Sequence, residues 1–79
     1  MAVTMEDIQN LVALQLDLAE VGKDDKIVED LAADSLDIVE LIATVEERYQ
    51  IEIEESELPD IRTVADLYEC VRSRQRKPG

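Results

Sequence analysis

Seventy-nine residues allow one small domain, near the lower limit at which a hydrophobic core forms without disulfides or metal ions. Twenty acidic residues against eight basic ones give a formal charge of −12, a surface that repels nucleic acid and anionic membranes. Hydrophobic residues make up 46% of the chain, which is too many for a disordered acidic tail.

The same composition argues against a membrane protein and against an enzyme. No apolar run is long enough to cross a bilayer or to serve as a signal peptide. Cys70 is the single cysteine and the chain has no histidine, so this thiol has neither a disulfide partner nor the usual base of a thiol enzyme. We expect a soluble, non-catalytic protein of a reducing compartment, the cytoplasm, with Cys70 partly buried.

The first predicted helix runs from about Thr4 to Leu18. Thr4 and Asp7 have the spacing of a capping box, and apolar residues follow at helical spacing. Gly22 and the polar residues after it interrupt the pattern for about 15 residues, which is a long connection for a small bundle. The apolar residues available to anchor this connection are Ile27, Val28 and Leu31.

The second predicted helix starts at Asp34 or Ser35, where Asp34 and Asp37 repeat the cap spacing, and ends near Tyr49. The alternating segment after it, IEIEE, has no second strand to pair with, so we predict extended coil with Ile51 or Ile53 facing inward. A short helical turn over residues 56–61 and a last helix capped by Thr63 follow.

These elements predict an all-α fold, a small four-helix bundle with three longer helices, one short helix and a long loop between the first two. The predicted domain covers residues 1–72, and residues 73–79 form a basic, disordered tail. Residues 1–71 contain all twenty acidic residues and only four of the basic ones, a formal charge of −16. Such a charge attracts basic proteins or divalent cations, but no EF-hand spacing is present, so we expect no specific metal site.

The second helix has two apolar faces instead of one. At about 100° per residue, one stripe faces the core and consists of Ile38, Leu41, Ile42, Val45 and Tyr49. Leu36, Val39 and Ala43 project on the opposite side, among glutamates that lack basic partners four residues on. This second face is either a docking surface for partners rich in Arg and Lys or is covered in part by the long loop.

Ser35 lies in the first turn of the second helix, where unpaired amides and the helix dipole favour a bound or attached anion. It is either an ordinary first-turn residue beside an Asp34 cap or a hydroxyl that another protein modifies. No base or oxyanion-binding group makes it a nucleophile of its own.

The segment ADSLDIVEL, Ala33 to Leu41, resembles the Asp-Ser-Leu attachment motif of acyl carrier proteins. The likeness extends through VEDLAADSLDIVELIATVEERYQIEI to IRTVADLYECV and so covers nearly the whole chain. The resemblance implies that a phosphopantetheinyl transferase attaches 4′-phosphopantetheine from coenzyme A to Ser35, and that the second helix is the recognition helix. The implied partner-contact residues are Asp34, Leu36, Asp37, Val39, Glu40, Ala43, Glu46 and Glu47.

The function implied is that of a monomeric acyl carrier, which holds acyl groups as thioesters on the arm and presents them to fatty-acid synthesis enzymes with basic docking patches. A carrier for polyketide, peptide, D-alanine or lipid-modification pathways remains open, as does an unmodified acidic adaptor or cation-binding protein. Two positions depart from the family pattern: Ala32 stands where many members have glycine, and Ala43 stands where many have methionine.

Overall fold

The computed structural model describes residues 2–75, which form three α-helices and one short 3₁₀ helix. The α-helices are α1 (Met5–Gln15), α2 (Ser35–Tyr49) and α3 (Val64–Gln75), and the 3₁₀ helix spans Glu55–Asp60 between α2 and α3. The predicted all-α bundle with three longer helices and one short helix is therefore confirmed. No helix among the described residues is both long enough and apolar enough to cross a bilayer.

The core is aliphatic and is built from all three α-helices and from the long loop. Its most deeply buried side chains are Ile8, Val12, Ile27, Leu41, Val45, Val64, Leu67 and Val71. Tyr49 and Tyr68 are half buried and pack against the edge of this core. Within residues 2–75 no charged or polar residue is buried, so the interior gains stability mainly from apolar burial.

Helix α1 ends earlier than the sequence predicted, at Gln15 instead of Leu18. Asp17 adopts a left-handed backbone conformation, with φ of 59°. The Leu18 amide donates to the Ala13 carbonyl at 2.8 Å and the Asp17 amide donates to the Leu14 carbonyl at 3.2 Å. This pair of bonds is a Schellman motif, which closes a helix and is usually made with glycine at the left-handed position.

The long loop between α1 and α2 is fixed to the start of α3 by backbone hydrogen bonds. The Ile27 amide donates to the Arg62 carbonyl at 2.9 Å, and the amides of Val64 and Ala65 donate to loop carbonyls at 3.1 and 2.8 Å. Ile27 is buried, as expected of an anchoring residue, whereas Val28 is 54% exposed and does not anchor the loop. The Ala33 amide donates to the Ile27 carbonyl at 3.1 Å, so this anchoring extends to the residues just before α2.

Helix α3 extends three residues beyond the domain boundary expected at residue 72, through Ser73, Arg74 and Gln75. Arg74 forms an ion pair with Glu57 of the 3₁₀ helix, and the Gln75 side chain accepts a hydrogen bond from the Val3 amide at 2.9 Å. The start of the proposed tail is thus helical and is held by two other parts of the chain. Residues 76–79 lie outside the described residues.

Candidate functional site

Ser35 is the first residue of α2, and its side chain is exposed. Asp34 is the N-cap, and the two predicted cap residues form a complete capping box. The Asp37 amide donates to Asp34 Oδ1 at 2.9 Å, and the Asp34 amide donates to Asp37 Oδ2 at 3.1 Å. Both carboxylates next to the serine are therefore engaged by backbone amides of the same turn.

The backbone around Ser35 favours an attached anion. The Ile38 amide donates to the Asp34 carbonyl at 3.0 Å, and the Asp37 amide is satisfied by the cap. The amides of Ser35 and Leu36 donate no hydrogen bond to any other group within residues 2–75. Two unsatisfied amides and the positive end of a 15-residue helix thus lie beside the hydroxyl.

Within residues 2–75, no side chain is hydrogen-bonded to the Ser35 hydroxyl. The chain has no histidine. The other candidate nucleophile, Cys70, is half buried, and burial followed by the nearby Glu57 carboxylate raises the pKa of its thiol. A serine hydroxyl without an adjacent base is a weak nucleophile at neutral pH.

The segment entering α2 has an unusual backbone. Ala32 lies in the left-handed region, with φ of 59°, and its side chain is exposed. The next residue, Ala33, is 5% exposed, and its amide donates to the Ile27 carbonyl at 3.1 Å. Ala32 therefore makes the sharp turn that lets Ala33 pack inward and Ser35 point outward.

The two apolar faces predicted for α2 are both present. Leu41 and Val45 are 1% and 0% exposed and belong to the core, with Ile38, Ile42 and Tyr49 partly buried beside them. On the other face Leu36 and Val39 are 63% and 61% exposed. The long loop therefore does not cover this ridge, which was the alternative to a docking surface.

The acidic residues along α2 differ in their surroundings. Glu40 and Glu47 are exposed and make no ion pair within residues 2–75. Glu46 is half buried, and its Oε2 accepts a hydrogen bond from the Ile53 amide at 2.8 Å. Glu46 thus fixes the extended segment after α2, a role that helical periodicity could not reveal.

Residues 2–75 contain no cluster of three acidic or cysteine side chains arranged to hold a metal ion. The phosphopantetheine arm that the resemblance implies would need one accessible hydroxyl and a surface that tolerates phosphate. Ser35 and the two adjacent amides meet both requirements.

Comparison with known proteins shows the family to which the chain belongs. A family model described as a phosphopantetheine attachment site matches residues 6–71. The chain is 40% identical over 72 residues to the acyl carrier protein of Chlamydia caviae, covering 89% of this chain and 94% of that protein. It is 43% identical over 70 residues to the acyl carrier protein of Wolinella succinogenes, covering 86% and 92%.

A solved structure described as the ishigamide ketosynthase/chain length factor contains a chain similar to this one. The TM-score is 0.72 and the sequence identity 28%, over 90% of this chain and 92% of that chain. Taken with the family match, these similarities define a small helical carrier domain with a phosphopantetheine attachment site. The protein belongs to the acyl carrier protein family, and 4′-phosphopantetheine is its prosthetic group.

Proposed function

We propose that Ser35 is the attachment residue and that the protein is a non-catalytic carrier of acyl groups in fatty-acid synthesis. The observation that carries the proposal is the exposed Ser35 hydroxyl beside two unsatisfied amides at the start of α2. The attached arm supplies the thiol that holds acyl groups as thioesters. The chain supplies the attachment point and the surface that partner enzymes bind.

In the attachment reaction a phosphopantetheinyl transferase supplies the base that removes the Ser35 proton. The serine oxygen bonds to the phosphorus that bears the pantetheine arm, and the phosphoanhydride of coenzyme A breaks with loss of the nucleotide. The free amides of Ser35 and Leu36 and the dipole of α2 stabilise the negative charge gained by the protein. The carboxylates of Asp34 and Asp37 repel the phosphodiester, which directs the arm into solvent.

Intact mass spectrometry tests the attachment site. Incubation with coenzyme A and a bacterial phosphopantetheinyl transferase should add the mass of one phosphopantetheine, and Ser35→Ala should abolish the addition. Ser56→Ala removes an exposed serine of the 3₁₀ helix and is the matched control, which should be modified normally. A modified Ser35→Ala variant, or an unmodified wild type where another carrier is converted, would show that the proposed site is wrong.

The docking surface proposed for partner enzymes is the exposed face of α2. Its apolar ridge is Leu36, Val39 and Ala43. Its acidic fringe consists of the exposed Asp34, Glu40 and Glu47 and the half-buried Asp37 and Glu46. A partner with a basic patch would approach quickly under charge steering, and the ridge would then give a small hydrophobic contact that still allows release.

Charge-reversal substitutions distinguish docking on this face of α2 from attraction by the overall charge of the protein. Glu40→Lys should slow transfer by a purified fatty-acid synthesis enzyme at low salt and should leave the circular dichroism spectrum unchanged. Glu20→Lys makes the same change in net charge on an exposed loop residue outside α2. Equal effects of the two substitutions would mean that only net charge matters and that α2 is not the docking surface.

A polyketide pathway is the second candidate, and the similarity to a chain in a ketosynthase/chain length factor structure favours it. Mass spectrometry of the acyl groups carried by the holo protein from its native host distinguishes the two. Saturated chains with even carbon numbers indicate fatty-acid synthesis, whereas poly-β-keto or polyene chains indicate polyketide synthesis.

The proposal also includes a monomeric protein that works in the cytoplasm. A formal charge of −12 opposes self-association of a small domain. Light scattering of the purified protein and fractionation of the native host test these two points.

A further inference from the structure

A shallow groove between α1 and α2 lies next to the docking surface but is not part of it. Its volume is about 200 Å³. The residues that form its walls are Asn10, Leu11, Leu14 and Gln15 of α1 and Thr44 and Arg48 of α2. Leu14 is 80% exposed, more than the apolar ridge residues Leu36 and Val39 at 63% and 61%.

Arg48 supplies a positive charge at this groove. It is exposed and is the only basic residue of α2. The ion pairs found in residues 2–75 are those of Arg72 and Arg74, so the Arg48 guanidinium has no ionic partner there. Asp7 also borders the groove and brings one negative charge to it. Its Oδ2 accepts a hydrogen bond from the Thr4 amide at 3.1 Å, and it forms no ion pair with Arg48.

The groove continues the docking surface around α2. At about 100° per residue, Thr44 lies about 40° from Glu40, and Arg48 lies about 40° beyond Thr44 in the same direction. The Thr44 hydroxyl donates to the Glu40 carbonyl at 2.9 Å and lies 3.2 Å from Gln15 Oε1, which joins α1 to α2 at the groove. Arg48 thus lies about 120° around α2 from Leu36, and the groove begins where the acidic fringe ends at Glu40.

We propose that this groove is a second contact point, which receives an apolar side chain next to a carboxylate from the same synthase enzyme that binds α2. The inference rests on the proposed docking surface and adds to it the chemistry of the partner. The partner's basic patch is then bordered on one side by an acidic residue. Such a border fixes the orientation of the carrier, because reversing the carrier along α2 would bring that acid to the N-terminal end of the helix, where Asp34 and Asp37 lie.

The direction in which one charge-reversal substitution changes the binding affinity distinguishes this proposal from attraction by net charge alone. Arg48→Glu makes an already acidic carrier more negative. With a uniformly basic partner it should therefore bind more tightly, whereas loss of an ion pair at the groove should weaken binding roughly fivefold. Arg62→Glu makes the same change in net charge at an exposed residue before α3 and is the control, which should not weaken binding. Leu14→Gln should weaken binding several-fold and leave the melting temperature unchanged, because Leu14 is mostly exposed.

The affinities can be measured by surface plasmon resonance with the purified β-ketoacyl synthase encoded in the same genome, at low salt and with holo protein. Binding that is unchanged or tighter in Arg48→Glu would overturn the inference. The proposed function is tested separately, by the mass of phosphopantetheine added to Ser35. None of these substitutions changes Ser35 itself. Sedimentation that showed a dimer dissociated by Arg48→Glu would assign the groove to a second copy of this chain and would also overturn the inference.

Discussion

Replacing Ala32 with glycine should stabilise this protein, although glycine is usually the destabilising choice. Ala32 has φ of 59°, a conformation in which the Cβ of any L-residue approaches the following carbonyl oxygen. Its side chain is exposed, so removal of the methyl group gives up no core packing. Ala32 was noted above as a departure from a family pattern that has glycine at this position, and glycine adopts this turn without strain.

The magnitude follows from two opposing contributions to the free energy of unfolding. Left-handed backbone costs a non-glycine residue about 1 to 2 kcal/mol. Glycine gives the unfolded chain extra conformational freedom, which offsets about 0.4 to 1 kcal/mol of that gain. The net stabilisation lies between about 0 and 1.6 kcal/mol. Its midpoint of about 0.8 kcal/mol corresponds to an increase of about 3 to 6 °C in the melting temperature of a domain of this size.

Thermal and urea unfolding followed by circular dichroism at 222 nm measure this difference. Ala33→Gly is the matched control at the next residue, where φ is not positive and the side chain is 5% exposed. It should lower stability by about 1 to 2 kcal/mol, through lost burial and added chain entropy. If Ala32→Gly lowered stability as much as the control does, the left-handed turn before Ser35 would not exist as described.

Four further outcomes are expected. Leu67→Ala should cost about 2 to 5 kcal/mol, measured by urea unfolding, because Leu67 is 0% exposed in an aliphatic core. Hydrogen bonds from the backbone at Thr63 lower the pKa of Asp66. The stability this gives is present above about pH 4, the unfolded value, and is lost as pH falls through the lower folded pKa, so Asp66→Asn should flatten the acid limb of a pH–stability profile. Glu46→Ala should lower stability by about 1 kcal/mol and Glu47→Ala by less than about 0.5, since only Glu46 accepts a backbone hydrogen bond. Added NaCl should raise the melting temperature, because screening weakens repulsion within a chain of charge −12, and a flat salt titration would contradict this.

The sequence predicted the helix starts well because all three use side chains spaced three residues apart. Thr4 with Asp7 and Asp34 with Asp37 form capping boxes, and each satisfies two backbone amides. These interactions are local, so they can be predicted from residues that are close in the sequence. The end of α1 was predicted three residues too late because the left-handed position that closes it is occupied by Asp17, where glycine would have marked the turn.

Long-range contacts account for the parts of the fold that the sequence did not reveal. The bonds from the long loop to the start of α3 join Ile27 to Arg62 and involve no distinctive side chain. Similarly, RSRQRKPG looks like a frayed end, but Arg74 and Gln75 are held by Glu57 and by the Val3 amide. A pairing across the whole chain leaves no local pattern in either partner.

The candidate site also has features that the sequence pattern predicts and features that depend on contacts between helices. The exposure of Leu36 and Val39 could be predicted because a regular helix with one buried stripe must turn the opposite side to solvent. The proposed contact role of Leu14 could not be predicted in this way. That role depends on the groove that Leu14 shares with Arg48, which lies 34 residues away on another helix. Periodicity describes one helix at a time, whereas a groove depends on how two helices are rotated against each other. The orientation in which a partner binds therefore depends on side chains that the sequence pattern of α2 does not include.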